Sequence, residues 1–333
     1  MKPALYWKPL KNGSVKCELC PHNCSIKRDL TGICGARKNL DGKLFTLNHS
    51  KPVSIAIDPI EKKPLFHFLP SSSVLSFGTY GCNLSCANCQ NYDISMVRDR
   101  QPKQEVPPEK IIEMAIANKC SGIAYTYNEP TIYYEYMLDC AKLAREKGLK
   151  NIMVSNGYIN KEPLKELCKH IDAANIDLKS MSKEFYKTNC KGKLERVKET
   201  LKTLAEQNVW LEITTLIIPT LNDSMEEIEE LAKWISEELG RDVPLHLSRF
   251  FPLYQLESLP PTPDSTLEAA RKVAVKHLNY VYIGNVRKLG TEDTICPICG
   301  RVLIMRSGFL VKANAVRENL CTFCKQKIPG VFK

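Results

Sequence analysis

Three cysteines close together in the sequence have a spacing that could bind a catalytic metal centre. Cys82, Cys86 and Cys89 form a C-x3-C-x2-C motif with no fourth cysteine nearby. Because a [4Fe-4S] cluster normally takes one thiolate on each iron, three thiolates would leave one iron open to a small molecule. The motif therefore predicts a cluster that can take part in catalysis. The alternative is a zinc knuckle with a distant fourth ligand, although zinc sites usually contain paired C-x2-C ligands.

A second group of cysteines lies near the C-terminus. Its members are Cys296, Cys299, Cys321 and Cys324. The C-x2-C-x21-C-x2-C spacing predicts a zinc ribbon, a unit with little core of its own that a tetrahedral metal site holds together. Iron in a rubredoxin-like site is the alternative, since four thiolates suit either metal.

A third group lies near the N-terminus, and its metal is left open by the spacing. Its members are Cys17, Cys20, Cys24 and Cys34. The C-x2-C-x3-C-x9-C pattern supplies four thiolates for either a structural zinc ion or an auxiliary iron-sulfur cluster. His22 could replace one of these ligands. The remaining cysteines are read as buried packing residues, the default for isolated thiols; they are Cys120, Cys140, Cys168 and Cys190.

The elements that must position these residues alternate between strand and helix from Val74 to Val286. The predicted strands are Val74–Phe77, Gly122–Tyr127, Asn151–Ser155, Ala174–Leu178, Leu211–Ile218, Leu245–Ser248 and Tyr280–Ile283. The predicted helices are Glu109–Asn118, Ile132–Glu146, Glu162–His170, Leu194–Glu206, Met225–Glu238 and Thr266–Leu278. About six βα units are fewer than the eight of a closed barrel, so the pattern predicts an open α/β barrel with its chemistry at the carboxyl ends of the strands.

The segments Gly81–Asn91 and Asp58–Leu65 resemble those of a known family of enzymes. They are similar to radical S-adenosylmethionine (SAM) enzymes close to pyruvate formate-lyase activating enzyme, and more closely to the radical SAM member of the AmmeMemoRadiSam gene neighbourhood. The resemblance implies a partial (β/α)6 radical SAM barrel at 71–287, between an N-terminal cysteine-rich module at 1–70 and a C-terminal zinc-ribbon-like module at 288–333. It also implies that the open iron chelates the amino and carboxylate groups of SAM.

Polar residues follow the second predicted strand, where the resemblance implies a contact with SAM. Tyr127, Asn128 and Glu129 are expected in the cofactor site, with Glu129 in the place of the glutamate that binds the SAM ammonium group in the family's Gly-Gly-Glu motif. The alternative is local: Asn128 caps the next helix, and Glu129 and Pro130 open its first turn.

Two further strand ends match motifs of the activating enzyme. Ser155 and Asn156 resemble part of its Asp-Thr-Asn-Gly segment, which implies a position for Asn156 near the ribose of SAM. Val154 replaces the aspartate, which helps to build a monovalent cation site in that family. Asp177 and Lys179 match an Asp-Leu-Lys run in which the lysine pairs with the SAM carboxylate; a simple ion pair is the alternative.

The sixth predicted strand contributes His246. By analogy with the histidine at this place in the activating enzyme, His246 would contact the nucleoside of SAM. The alternative is a structural histidine, because histidine side chains are commonly found partly buried.

Composition limits the setting in which the protein works. The chain of 333 residues is 44% hydrophobic and 25% charged, without an apolar run long enough for a membrane span or a secretion signal. Metal-type cysteine clusters favour a reducing compartment, so we expect a cytoplasmic protein with no membrane partner. The net charge of +10 favours acidic partners such as nucleic acid or an acidic protein surface, but a generally solvated lysine-rich surface gives the same value.

The resulting expectation is a radical SAM oxidoreductase of the activating-enzyme type that uses a [4Fe-4S] cluster and SAM to make a 5′-deoxyadenosyl radical. Flavodoxin or ferredoxin would supply the electron, and a protein is one candidate substrate. A second hypothesis is radical SAM modification of RNA or another macromolecule. A third is a binding or electron-transfer protein whose iron-sulfur and zinc sites do not cleave SAM.

Overall fold

The computed structural model describes residues 1–97, 104–286, 288 and 290–332. Its main sheet has eight strands that lie in chain order from one edge to the other. They are Ser54–Pro59, Ser73–Gly78, Gly122–Tyr125, Lys150–Ser155, Ala173–Asp177, Trp210–Ile217, Leu245–Arg249 and Val281–Gly284. The first strand is antiparallel to its neighbour and the other seven are parallel.

Six helical connections join the seven parallel strands, which confirms the predicted partial (β/α)6 barrel. The long helices are Pro108–Ala117, Tyr134–Glu146, Lys161–Cys168, Leu194–Glu206, Met225–Glu238 and Asp264–Ala274. Short helical segments are Lys11–Gly13, Ile60–Lys62, Tyr92–Ser95, Pro130–Tyr133, Lys183–Phe185, Tyr186–Cys190 and Tyr254–Leu256. The parallel strands end within two residues of their predicted bounds, whereas the last long helix ends at Ala274, four residues before the predicted end at Leu278.

The parallel strands lie in the interior of the molecule because both faces of the sheet are apolar. On one face of the sheet, Phe77 and Tyr125 pack against the helices. On the other face, Val74 and Ala124 of the same two strands belong to a second apolar cluster that includes Leu65. Burial on both faces is typical of parallel sheets, and each fully buried large apolar side chain contributes about 1.5–3 kcal/mol. The antiparallel strand Ser54–Pro59 was not predicted from the sequence.

Small antiparallel sheets form the two ends of the chain. The N-terminal strands are Lys2–Pro3, Trp7–Pro9, Val15–Cys17, Ser25–Ile26, Arg37–Leu40 and Lys43–Thr46. The C-terminal strands are Thr294–Ile295, Val302–Ser307, Leu310–Asn314, Val316–Arg317 and Leu320–Cys321. Arg306 joins the C-terminal unit to residues near the barrel: its guanidinium group is buried, lies 4.3 Å from the ring centre of Phe66 and donates to the Phe66 carbonyl at 2.7 Å.

Within the described residues, no helix is both long and apolar enough to cross a membrane.

Candidate functional site

A cavity of about 590 Å³ lies at the carboxyl ends of the parallel strands. Its volume is within the range of cofactor and ligand pockets. All three cysteines of the C-x3-C-x2-C motif line this cavity, and so do all eight predicted SAM-site residues. These eight are Tyr127, Asn128, Glu129, Ser155, Asn156, Asp177, Lys179 and His246. The fold therefore brings together groups that are up to 164 positions apart, from Cys82 to His246.

The loop that carries the three cysteines is held by close backbone packing. A Cβ atom at Gly78 would lie 2.5 Å from the Thr126 carbonyl oxygen. Asn128 accepts a hydrogen bond from the Thr79 N–H at 3.0 Å and donates one to the Gly81 carbonyl at 2.9 Å. Asn128 therefore orients the start of the loop.

The three thiols of this loop suit a cluster better than a single ion. All three cysteines line one large cavity. Among the described residues, they do not form a group with sulfurs close enough together to bind a single metal ion. The Leu84 N–H and the Asn156 side-chain amide donate to the Cys82 sulfur at 3.4 and 3.7 Å. Such N–H donors stabilise a coordinated thiolate and tune a bound cluster.

Cys190 is buried, as predicted, but it is more than a packing residue. Its thiol hydrogen bonds with that of Cys86, and this bond, followed by burial, raises the pKa of Cys86. The Cys190 carbonyl also accepts the Ser85 N–H at 3.0 Å. The turn that ends at Cys190 thus supports the cysteine loop. Of the other predicted packing cysteines, Cys120 and Cys140 are buried and Cys168 is partly exposed.

Glu129 has a local structural role and also lines the cavity. Its side chain accepts the Thr131 N–H at 2.9 Å and so caps the short helix Pro130–Tyr133, a position that the sequence assigned to Asn128. Ser155 Oγ and the Asn156 N–H also donate to the carboxylate, each at 2.8 Å. Burial raises the pKa of Glu129, although these donors oppose the rise. The carboxylate nevertheless lines the cavity, where it can meet a ligand cation.

Asp177 and Lys179 form the ion pair that the sequence offered as an alternative. The Lys179 ammonium donates to the Asp177 carboxylate at 2.6 Å, and both side chains line the cavity. Burial lowers the pKa of Lys179, but Asp177 and the thiols of Cys86 and Cys190 outweigh it and hold the pKa well above its usual value. Lys179 therefore remains a cation that can attract a carboxylate ligand.

His246 is held by a buried glutamate, Glu212, that was not predicted from the sequence. Glu212 Oε2 lies 2.7 Å from His246 Nε2, and the same carboxylate accepts the backbone N–H groups of Phe66 and His67 at 2.9 and 2.8 Å. Burial acts to raise the pKa of Glu212, but the contact with His246 and the other donors lower it overall. The signal in the sequence was a lone acid inside the apolar strand Trp210–Ile217.

Two lysines of the segment Asp58–Leu65 border this cavity. Asp58 accepts hydrogen bonds from Lys62 at 2.8 Å, Lys63 at 2.7 Å and the Tyr127 hydroxyl at 2.6 Å. These donors outweigh burial and lower the pKa of Asp58. Both lysines line the cavity, with Lys63 buried and 4.7 Å above the Tyr127 ring centre. Asp58 therefore holds both lysines at the border of the cavity.

The four C-terminal cysteines form a compact site that is separate from this cavity. Their sulfurs all lie within 4.8 Å of one another, with Cys296 and Cys324 at 3.6 Å and Cys299 and Cys321 at 3.8 Å. Among the described residues they are the only His, Cys, Asp or Glu group of this kind. Tetrahedral coordination by thiolates at about 2.3 Å needs sulfurs this close together. The geometry fits the predicted zinc-ribbon-like module.

The four N-terminal cysteines surround a second, smaller cavity, which also contains His22 and Arg37 in its wall. Their sulfurs are not as closely grouped as those of the C-terminal site. His22 directs Nε2 to the Asn83 carbonyl at 2.6 Å.

A family model and several known proteins match this chain. The family model described as Radical SAM superfamily matches residues 77–235. An uncharacterized protein of Methanocaldococcus jannaschii is 46% identical over 336 residues, with 100% of both chains covered. The pyruvate formate-lyase-activating enzyme of Clostridium pasteurianum is 29% identical over 159 residues, or 46% of this chain and 66% of that enzyme.

A solved structure gives the same fold. A radical SAM methyltransferase from Sphaerobacter thermophilus has a TM-score of 0.52 and 12% identity, with 71% of each chain covered. The predicted resemblance to radical SAM enzymes close to pyruvate formate-lyase activating enzyme is confirmed by these matches, and the closer resemblance to the AmmeMemoRadiSam member stays a prediction.

Proposed function

Since the chain belongs to the radical SAM superfamily and is an enzyme, we propose that Cys82, Cys86 and Cys89 hold a [4Fe-4S] cluster beside bound SAM. Such a cluster, when bound and reduced, would supply the electron that cleaves SAM into methionine and a 5′-deoxyadenosyl radical, and this radical would abstract a hydrogen atom from a substrate. The observation that carries the proposal is the single cavity shared by these thiols and the polar groups of successive strand ends. The protein itself supplies binding, orientation and exclusion of water.

The polar side chains have complementary tasks in this proposal. Glu129 accepts the ammonium group of SAM, and Lys179 pairs with its carboxylate, since opposite charges form the stronger hydrogen bonds. Asn156 lies between Glu129 and the Cys82 sulfur, in a position to contact the ribose. His246, oriented by Glu212, contacts the nucleoside. Tyr127, Asn128 and Ser155 hold Asp58, the cysteine loop and Glu129 in place.

The proposed partners follow from the electron and the hydrogen atom that the reaction needs. Flavodoxin or ferredoxin would donate the electron. The relative from Clostridium pasteurianum is named as an activating enzyme, so a protein that loses a hydrogen atom is the first substrate class to test. We propose that the reaction takes place in the cytoplasm. Residues 71–287 form the catalytic domain between the two terminal modules, and the C-terminal site binds zinc.

Product analysis tests this function directly. The anaerobically reconstituted protein should release equal amounts of 5′-deoxyadenosine and methionine when SAM and dithionite are added. Cys86→Ala should abolish the release, because the cluster would lose one of three ligands. Cys168→Ala, which changes a partly exposed cysteine outside the cavity, is the matched control and should retain it. Undiminished release from Cys86→Ala would defeat the proposal.

The substrate class is tested by isotope transfer. Deuterium from a labelled protein substrate should appear in 5′-deoxyadenosine, as measured by mass spectrometry. The net charge of +10 keeps RNA as the second candidate. Binding of RNA should weaken steeply as salt rises, because each neutralised phosphate releases counterions. Salt-insensitive binding with no isotope transfer from RNA would exclude that candidate.

A further inference from the structure

The two four-cysteine sites differ in the distances between their sulfurs. In a site with one metal ion, each thiolate lies about 2.3 Å from the ion, so any two sulfurs can be at most about 4.6 Å apart. The C-terminal sulfurs, with separations of 3.6 and 3.8 Å, satisfy this limit. The N-terminal cysteines do not form such a group. In an iron-sulfur cluster each thiolate binds a different iron, which requires the wider spacing.

The space between the N-terminal thiols is small, and apolar side chains form most of its border. Leu19, Ile26, Ile33 and Ile132 line it together with the cysteines. Cys17 and Cys34 are buried, and Cys20 and Cys24 are partly buried. The space is therefore bordered by thiols and apolar side chains. It is a suitable environment for an inorganic core held only by thiolates.

Arg37 supplies buried hydrogen-bond donors beside this cavity that a ligand with acceptor atoms can use. Its side chain is 1% exposed and forms part of the cavity wall. One terminal nitrogen donates to the Leu5 carbonyl and to Glu135, each at 2.6 Å. The other two nitrogens, Nε and Nη1, have no partner, and neither does Thr131 Oγ1 in the same wall. Buried donors without acceptors are rare in native proteins, and cluster sulfides and thiolates would accept these hydrogen bonds.

The N-terminal site lies directly against the loop of the proposed catalytic cluster. A Cβ atom at Gly81 would lie 2.3 Å from the Cys34 carbonyl oxygen. The next residues face different cavities, since Cys82 lines the large one and Asn83 the small one. Asn156 donates to both of these side chains, at 3.7 Å to the sulfur and 2.9 Å to the Asn83 oxygen. Only a few bonded or hydrogen-bonded atoms separate the two sites.

From the spacing of these sulfurs, the burial of Cys17 and Cys34 and the contact with the neighbouring loop, we propose that the N-terminal cysteines hold a second [4Fe-4S] cluster that passes electrons to the Cys82 loop. Four thiolates leave no iron open, so this site stores and transfers electrons and does not bind SAM. It takes one electron from a low-potential donor of the ferredoxin or flavodoxin class and gives one electron to the neighbouring centre, with no change of bonds or protons. This relay rests on the proposed function, whereas the presence of the second cluster does not.

Metal analysis of a variant without the catalytic triad tests the presence of the cluster. Cys82→Ala/Cys86→Ala/Cys89→Ala, purified without air and reconstituted, should retain about four iron and four sulfide per chain. A triad variant with two zinc ions and no iron would overturn the proposal. Because this variant cannot cleave SAM, its metal content is independent of the proposed function. Cys17→Ser/Cys34→Ser should lose the same amount of iron from the otherwise unchanged protein; if it does not fold, the triad variant still decides the question.

Two further measurements address the contacts and the role. In the triad background, Arg37→Gln should make the reduction potential of the remaining cluster more negative, because a cation and two N–H donors are removed; an unchanged potential would contradict a contact with Arg37.

In Cys17→Ser/Cys34→Ser, reduced flavodoxin should reduce the remaining cluster at least tenfold more slowly than in the unchanged protein, as followed by electron paramagnetic resonance. An equal rate would refute the relay and leave the metal count to decide the cluster.

Discussion

The two terminal cysteine sites have the same four thiols but differ in packing and in spacing. The C-terminal sulfurs are close together, and Cys299 and Cys324 are exposed. The N-terminal sulfurs are more widely spaced around a small apolar space that adjoins the Cys82 loop. Because both sites have four cysteines, only their different environments can be used to assign a separate task to each. We interpret the C-terminal site as a support for its module and the N-terminal site as part of the redox machinery.

The largest effect is expected at the C-terminal site. Cys296→Ser/Cys321→Ser removes two buried ligands, and structural zinc contributes about 10–16 kcal/mol in small zinc-binding peptides. We expect the loss of one zinc per chain and rapid proteolysis within 290–332, while the iron content remains unchanged. Metal analysis and limited proteolysis provide the measurements. Loss of iron with zinc retained would reverse the interpretation of the two ends.

The contact between the N-terminal site and the catalytic loop is tested at Gly81. Gly81→Ala adds a Cβ against the Cys34 carbonyl at a residue with φ of +85°. We expect a loss of at least about 2 kcal/mol in the free energy of unfolding, from clash and backbone strain, and less bound iron. C-terminal zinc should be unaffected.

Gly148→Ala is the matched control for this change. Gly148 has φ of +72° but nothing within 4 Å of an added Cβ, so only backbone strain of about 1 kcal/mol is expected. Chemical denaturation and iron analysis compare the two variants. Equal losses of stability and iron would show that the contact with Cys34 does not couple the sites.

The large cavity can be changed without altering either terminal site. Lys179→Met removes the cation that we assign to the SAM carboxylate, and we expect at least tenfold weaker SAM binding, or about 1.4 kcal/mol. Lys150→Met is the control, since Lys150 pairs with Asp172 at the opposite end of a strand. Anaerobic equilibrium dialysis measures both affinities. Unchanged binding by Lys179→Met would remove this lysine from the SAM site.

The smallest expected effect is a change of protein stability with pH. It arises from Glu292, in the segment that links the barrel to the C-terminal module. Burial, opposed by Arg306, raises the pKa of Glu292 to about 7. The folded protein therefore binds the proton more tightly than the unfolded chain does, and stability falls as pH rises from about 4.5 to 7. Glu292→Gln should stabilise the protein by roughly 1 kcal/mol at pH 8, after allowance for solvent screening, and much less at pH 4.

Thermal unfolding at the two pH values checks this prediction. Glu318→Gln, which changes an exposed glutamate of the same module, is the control. A gain from Glu292→Gln that is the same at both pH values would show that ionisation of Glu292 is not its cause.

The sequence predicts those parts of the molecule that depend on local patterns. The Leu194–Glu206 and Met225–Glu238 helices match their predicted bounds because apolar side chains repeat at helical intervals. The spacing of Cys82, Cys86 and Cys89 indicates a shared centre for the same reason, since ligands on one short loop are necessarily close.

Features that depend on distant contacts were not predicted. Glu212 is a buried acceptor only because residues 66 and 67 lie beside its strand in the fold. The strand Ser54–Pro59 is short and lies at the sheet edge, where pairing with Ser73–Gly78 decides its conformation. The N-terminal cysteines could not be assigned because zinc and iron-sulfur sites share ligands, and only the distances between the sulfurs separate them.

The metal content of the unchanged protein tests the assignment of all three cysteine groups at once. After isolation without air and reconstitution, iron, sulfide and zinc are counted per chain, with Mössbauer spectra to identify the iron centres. The account predicts about eight iron, eight sulfide and one zinc, from two clusters and one ribbon. About four iron with two zinc ions per chain, or no iron at all, would contradict it.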